Sequence, residues 1–97
     1  MTVRFYIDPV TGQPHIYGHS VIEEEVEDVL ARPMEDRAGR DASRIALGQT
    51  EAGRYLRVIY VPDRTPGSVF VITAYELGEN ARKALRRRRK ASQRKKP

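Results

Sequence analysis

The chain has 97 residues, 39% of them hydrophobic and 32% charged, which is enough for one domain around one core and too little for a second. It contains no cysteine, so disulfides, thiolate metal sites and thiol nucleophiles are excluded together. The net charge of +5 is unevenly held: residues 82–97 carry ten Lys or Arg and no acid, while residues 1–81 carry eight basic residues against thirteen acids.

Val3 to Ile7 alternates weakly, with two aromatics, and predicts a first strand. Thr11-Gly12-Gln13-Pro14 is turn chemistry, and His15 to Tyr17 is expected to form a short second strand. A helix follows. Ser20 with Glu23 has the spacing of a capping box, and Ile22, Val26, Val29 and Leu30 recur on one apolar stripe. The acids Glu23, Glu24, Glu25, Glu27 and Asp28 suit its N-terminal half, and Arg32-Pro33 ends it.

Residues 34–42 show neither helical nor strand periodicity and predict a mobile loop. Three strands are then expected: Ser43 to Thr50, Tyr55 to Val61 and Val69 to Tyr75. The last two are apolar on both faces apart from Arg57, as buried strands are. Gly78 to Asn80 opens a second helix whose apolar stripe is only Ala81, Ala84 and Leu85. Beyond Leu85 the chain is expected to fray until an anion orders it. The fold class is thus α+β: a small antiparallel sheet of three to five strands, one packed helix and a basic C-terminal helix. Residues 1–85 form the domain and residues 86–97 a basic extension. No apolar run approaches the ~18 residues of a membrane span, and Met1 to Tyr6 lacks the features of a secretory signal, so the expected location is the cytoplasm.

Three groups of residues carry possible chemistry. The first is the arm: Arg82, Lys83, Arg86, Arg87, Arg88, Arg89, Lys90, Arg94, Lys95 and Lys96. Such a run suits a phosphate backbone, and engaging about six phosphates on single-stranded RNA would give a log–log salt slope near −4. Without aromatics the arm itself is blind to sequence. A solubilising patch or an acidic protein partner would account for the same charges.

The second group is His15 and His19, the only histidines. No third ligand completes a metal site. His19, placed just before the expected helix cap, suits either a general base or a hydrogen bond that fixes the helix start. The third group is Arg44, Arg54, Arg57 and Tyr75 on the sheet, whose guanidiniums suit a phosphodiester or salt bridges to Glu51, Asp41 and the acidic helix. Phosphate-binding, nucleotide-binding, serine-hydrolase and zinc-protease motifs are all absent.

Phe5-Tyr6-Ile7-Asp8-Pro9, His19-Ser20-Val21, Val29-Leu30-Ala31-Arg32-Pro33, Arg44 to Thr50, Gly53 to Val58 and Val71 to Tyr75 together resemble the BrnT-like toxins, a family similar in fold to RelE. The resemblance spans roughly residues 5 to 90 and implies a ribonuclease that needs no cofactor, neutralised by a cognate antitoxin. It implies RNA cleavage by attack of the ribose 2′-hydroxyl, with His19 as base and Arg44 and Arg54 on the phosphate. Where the family often has an arginine this chain has Tyr75, a candidate proton donor. Arg57, Arg82, Arg86 to Arg89 and Lys90 would then bind the RNA. The rival expectation is a non-catalytic module that binds RNA or an antitoxin through its basic tail.

Overall fold

The computed structural model describes residues 1–94. In chain order these form β1 (Thr2–Phe5), a 3-10 helix (His15–His19), α1 (Glu23–Ala31), β2 (Glu35–Ala38), β3 (Arg44–Gln49), β4 (Tyr55–Pro62), β5 (Ser68–Glu76) and α2 (Glu79–Arg94). The fold is α+β, with a five-stranded sheet in the order β1-β5-β4-β3-β2. Among the described residues no helix is long and apolar enough to cross a membrane. Lys95 and Lys96 of the expected arm lie outside the described residues.

Alternation sorts the strands onto two faces. Ala46, Leu56, Val58 and Ala74 are fully buried on one face, under Val26 and Val29 of α1 and under Ile16 and Val21. The helix comes close: a Cβ on Gly48 would meet Val29 Cγ1 at 3.1 Å, so a larger residue there would require Val29 to give by a few tenths of an ångström. The opposite face carries Ile45, Leu47, Tyr55, Arg57, Thr73 and Tyr75. Here Leu47 packs with Leu77 and with the fully buried Leu85 of α2. The apolar area is much smaller on this side. It covers Leu47 on β3 and reaches Tyr55 on β4, and further across the face Arg57, Ile59, Thr73 and Tyr75 are half-buried.

Several elements differ from expectation. The sheet is mixed, because β1 pairs parallel with β5 from Thr2↔Ser68 to Phe5↔Val71. His15–His19 is a 3-10 helix and not a strand: Tyr17 N donates to Pro14 O, and one isolated Ile7↔Pro14 bridge is all the pairing that remains. The capping box lies two residues later than Ser20–Glu23. Ser20 is left-handed (φ 58°, ψ 36°), Ile22 is extended, and Glu25 accepts a hydrogen bond from Ile22 N at 3.1 Å. His19 therefore ends the 3-10 helix, three residues ahead of the cap, and Ile22 is exposed instead of joining the stripe.

The expected loop at 34–42 contains β2, an edge strand paired Glu35↔Leu47 through Ala38↔Arg44. Its charged sequence hid it, and charge is what an exposed sheet edge requires. The basic extension is also more ordered than expected. α2 continues as helix past Leu85, because Arg88 pairs with Glu35 (2.8 and 3.0 Å) and Arg89 donates to Met34 O (3.3 Å). Polar contacts hold it where apolar ones run out.

Candidate nucleic-acid interface

β1 stops at Phe5↔Val71, so the outer edge of β5 from Ile72 to Glu76 has no strand partner. The 3-10 helix lies there. Backbone hydrogen bonds set the side chains: Tyr6 N donates to Val71 O, and His15 N donates to Tyr6 O. Ile16, 1% exposed, anchors the segment in the core. The result is a run of four rings. Centroids are 5.9 Å apart from Tyr6 to His15, 5.4 Å from His15 to His19, and 5.8 Å from His19 to Tyr75, and each pair is tilted by 56–74°. His15 Nδ1 lies 3.5 Å from Asp8, whose carboxyl is held below its usual range chiefly by the Val10 N–H.

Tyr75 is register-paired with Arg57, and Arg57 with Leu47, so these three form one transverse row on the face opposite α1. Arg57 is half-buried yet makes no ion pair or side-chain hydrogen bond among the described residues. His19 and Tyr75 likewise have no side-chain hydrogen bond there. Thr73 Oγ1, one pleat along from Tyr75, is buried without a partner. Of the four residues expected to be catalytic, His19 and Tyr75 are brought together, with Arg57 beside them.

Arg44 and Arg54 are not brought into that group. Arg44 is on the α1 face, in register with Tyr60, and its Nε lies 2.8 Å from Asp36, which also accepts from the Tyr60 hydroxyl. Burial first, and then the bond to Asp36, pushes the Tyr60 phenol above its ordinary range. Arg54 donates through Nη1 to Ser20 O (2.6 Å) and to Glu25 (3.0 and 3.2 Å), and through Nε to Glu76 (3.3 Å). Burial disfavours its charge, but the two carboxylates outweigh that and raise its pKa. Both guanidiniums are thus paired with acids of the body, Arg44 with Asp36 and Arg54 with Glu25 and Glu76.

α2 presents the opposite situation. Lys83 pairs with Glu79 and Arg88 with Glu35, whose carboxyl Arg88 holds below the ordinary glutamate range. Arg82, Arg86, Arg87, Arg89 and Lys90 have no carboxylate within 4.0 Å among the described residues. A cleft of about 440 Å³ opens between α2 and the start of β2, lined by Met34, Lys83, Arg86, Arg87, Arg89, Lys90 and Gln93. Arg82 is set apart, half-buried with its Nε unpartnered. No cluster of three or more potential metal ligands occurs among the described residues.

Sequence reasoning missed Tyr6 and Glu35. Tyr6 is nine residues from His15, a spacing that carries no signal until the turn at Asp8–Gln13 folds the chain back.

A domain-family profile described only as a domain of unknown function, DUF4258, matches residues 19–76. The chain belongs to the DUF4258 family. No curated protein and no solved structure matches the chain. The DUF4258 segment begins at His19 and ends one residue after Tyr75, so it contains His19, Arg44, Arg54, Arg57 and Tyr75 and excludes α2.

Proposed function

We propose that this chain is an RNA-binding module that grips the phosphate backbone through α2. The observation that carries the reading is the clustering of unpaired cations on α2. Arg44 and Arg54 of the body are paired with acids, whereas Arg86, Arg87, Arg89 and Lys90 line one cleft with no carboxylate within 4.0 Å among the described residues. Exposed, unpaired cations clustered on one helix are what a polyanion neutralises with release of counterions. An antitoxin-type partner would meet the same surface with an acidic segment, and both roles belong in the cytoplasm.

Fluorescence anisotropy of a labelled single-stranded RNA across a salt series tests this. Five unpaired cations on α2 give an expected log–log slope of about −3.5, and Arg86→Ala, Arg87→Ala and Lys90→Ala together bring it toward about −1.4. Absence of salt-dependent binding at low ionic strength would refute the reading.

The contact between His19 and Tyr75 favours a second reading, metal-independent RNA cleavage. His19 would take the proton of a ribose 2′-hydroxyl as its oxygen attacks the adjacent phosphorus. Arg57 would stabilise the charge gathering on the phosphate oxygens, and Tyr75 would give a proton to the departing 5′-oxygen. The products are a 2′,3′-cyclic phosphate and a 5′-hydroxyl. Mapped RNA ends of that kind, lost in His19→Ala, support cleavage; intact RNA after prolonged incubation refutes it.

A further inference from the structure

The half-buried β4–β5 part of the sheet face opposite α1 is bordered by two different surfaces. Along the outer edge of β5 runs the ring strip Tyr6–His15–His19–Tyr75. It starts at the level of Val71, where Tyr6 is hydrogen-bonded, and ends at Tyr75, about 13 Å further along the strand. On the other side is α2, seated over Leu47 by Leu85. The transverse row Tyr75–Arg57–Leu47 joins the two, and at ordinary strand spacing it crosses about 10 Å.

Two of the four rings lie at the surface and two are partly covered: Tyr6 is 41% exposed and His19 is exposed, while His15 and Tyr75 are half-buried. Neighbouring rings are tilted, so none is stacked flat upon the next and no flat stack within the strip competes with a base. Backbone hydrogen bonds at Tyr6 and His15 and the buried Ile16 fix the strip before any ligand arrives, so little ordering entropy remains to be lost. Fixed rings that reach the surface, on a molecule that also carries a cationic helix, are the combination that binds unpaired nucleobases. A duplex hides its base faces and would reach only the cations.

We infer that the ring strip is a base-stacking subsite, so that the chain selects single-stranded RNA, with bases on Tyr6–His15–His19–Tyr75 and backbone on Arg57 and α2. This rests on the RNA-grip reading above, and it adds a base-dependent part that the cationic helix cannot supply.

The test compares a single-stranded oligoribonucleotide, an abasic oligomer of the same length and phosphate count, and a duplex, each bound to the full chain at fixed salt. The expected result is tighter binding of the base-bearing strand than of the abasic one by about tenfold for each base stacked. Tyr6→Leu and His15→Leu lower that ratio, while Tyr6→Phe and His15→Phe, which keep a ring, retain it; circular dichroism checks that each variant is folded. Equal affinity for the base-bearing and abasic strands in the unaltered chain overturns the inference and leaves the backbone grip standing. A ratio that survives both leucine substitutions in folded protein overturns it as well. If neither oligomer binds at low salt, the RNA-grip reading itself falls, and the inference with it.

Discussion

Replacing Arg54 by alanine separates a structural guanidinium from a functional one. The resemblance to ribonuclease toxins would put Arg54 on a substrate phosphate, whereas the geometry makes it a clamp. Its Nη1 joins the left-handed Ser20 carbonyl to Glu25 of α1, and its Nε reaches Glu76 on β5. One side chain thus ties the 3-10 helix, α1 and the sheet together. Side-chain exposure is 23% for Arg54 and 21% for Glu25, but 54% for Glu76, so the Glu25 bond carries most of the energy. Hydrogen bonds to charged partners contribute about 1.5–3 kcal/mol when buried, and partial exposure brings this clamp to about 2 kcal/mol. For a domain near 100 residues that lowers Tm by about 10 °C. Thermal unfolding followed by circular dichroism measures it, and a double-mutant cycle with Glu25→Gln is expected to show coupling of about 1 kcal/mol. An unchanged Tm together with loss of RNA binding or cleavage would show that the guanidinium serves the ligand, and the clamp argument would be wrong.

Other perturbations follow from the same contacts. Glu35→Gln weakens the pin on α2 and is expected to raise tryptic cleavage within Arg86–Arg89 severalfold, with little change in Tm. Arg88 depresses the Glu35 pKa, so the pin's contribution is present above the ordinary glutamate value of about 4.3 and is lost as pH falls through the lower folded value. An acid limb in α2 protection, flattened in Glu35→Gln, checks it. Tyr60 behaves oppositely: its folded pKa is raised, so its contribution is intact below about pH 10 and declines above it. Tyr60→Phe is expected to flatten that alkaline limb in denaturant titrations. Leu85→Ala removes a fully buried side chain of α2 and costs about 2 kcal/mol, the low end for a small cluster; loss of helical ellipticity without loss of the sheet would report it.

Strand positions were legible because β3, β4 and β5 are ruled by alternation and burial, which local sequence expresses directly. β2 was not, since a charged edge strand has the composition of a loop and is specified by its neighbour. The parallel pairing of β1 was invisible for a similar reason, as parallel partners are fixed by the connection between them. α1 was placed two residues early because Ser20 and Glu23 imitate a box that Glu25 in fact completes with Ile22. For the candidate site, residue type was informative and pairing was not. Arg44, Arg54 and Arg57 look alike in the sequence, yet two are bound by Asp36, Glu25 and Glu76, and one stands free beside Tyr75.

The boundary of the family match bears on which part does what. It encloses His19, Arg57 and Tyr75 and stops at Glu76, before the first residue of α2. The match leaves α2 outside the shared segment, which makes it useful to test the backbone grip apart from any chemistry at His19. Truncation cannot separate them, because removing α2 uncovers Leu47, Leu77 and Tyr55 and destabilises the sheet as well. Charge-only substitution can. Arg86→Ala, Arg87→Ala and Lys90→Ala leave Leu85 and the Arg88–Glu35 pin in place, and are expected to weaken RNA affinity steeply at low salt. Cleavage measured at saturating RNA should then be unchanged if His19, Tyr75 and Arg57 are catalytic. Cleavage that falls in proportion to these cations even at saturation would mean that α2 belongs to the reacting site, and that the two surfaces act as one.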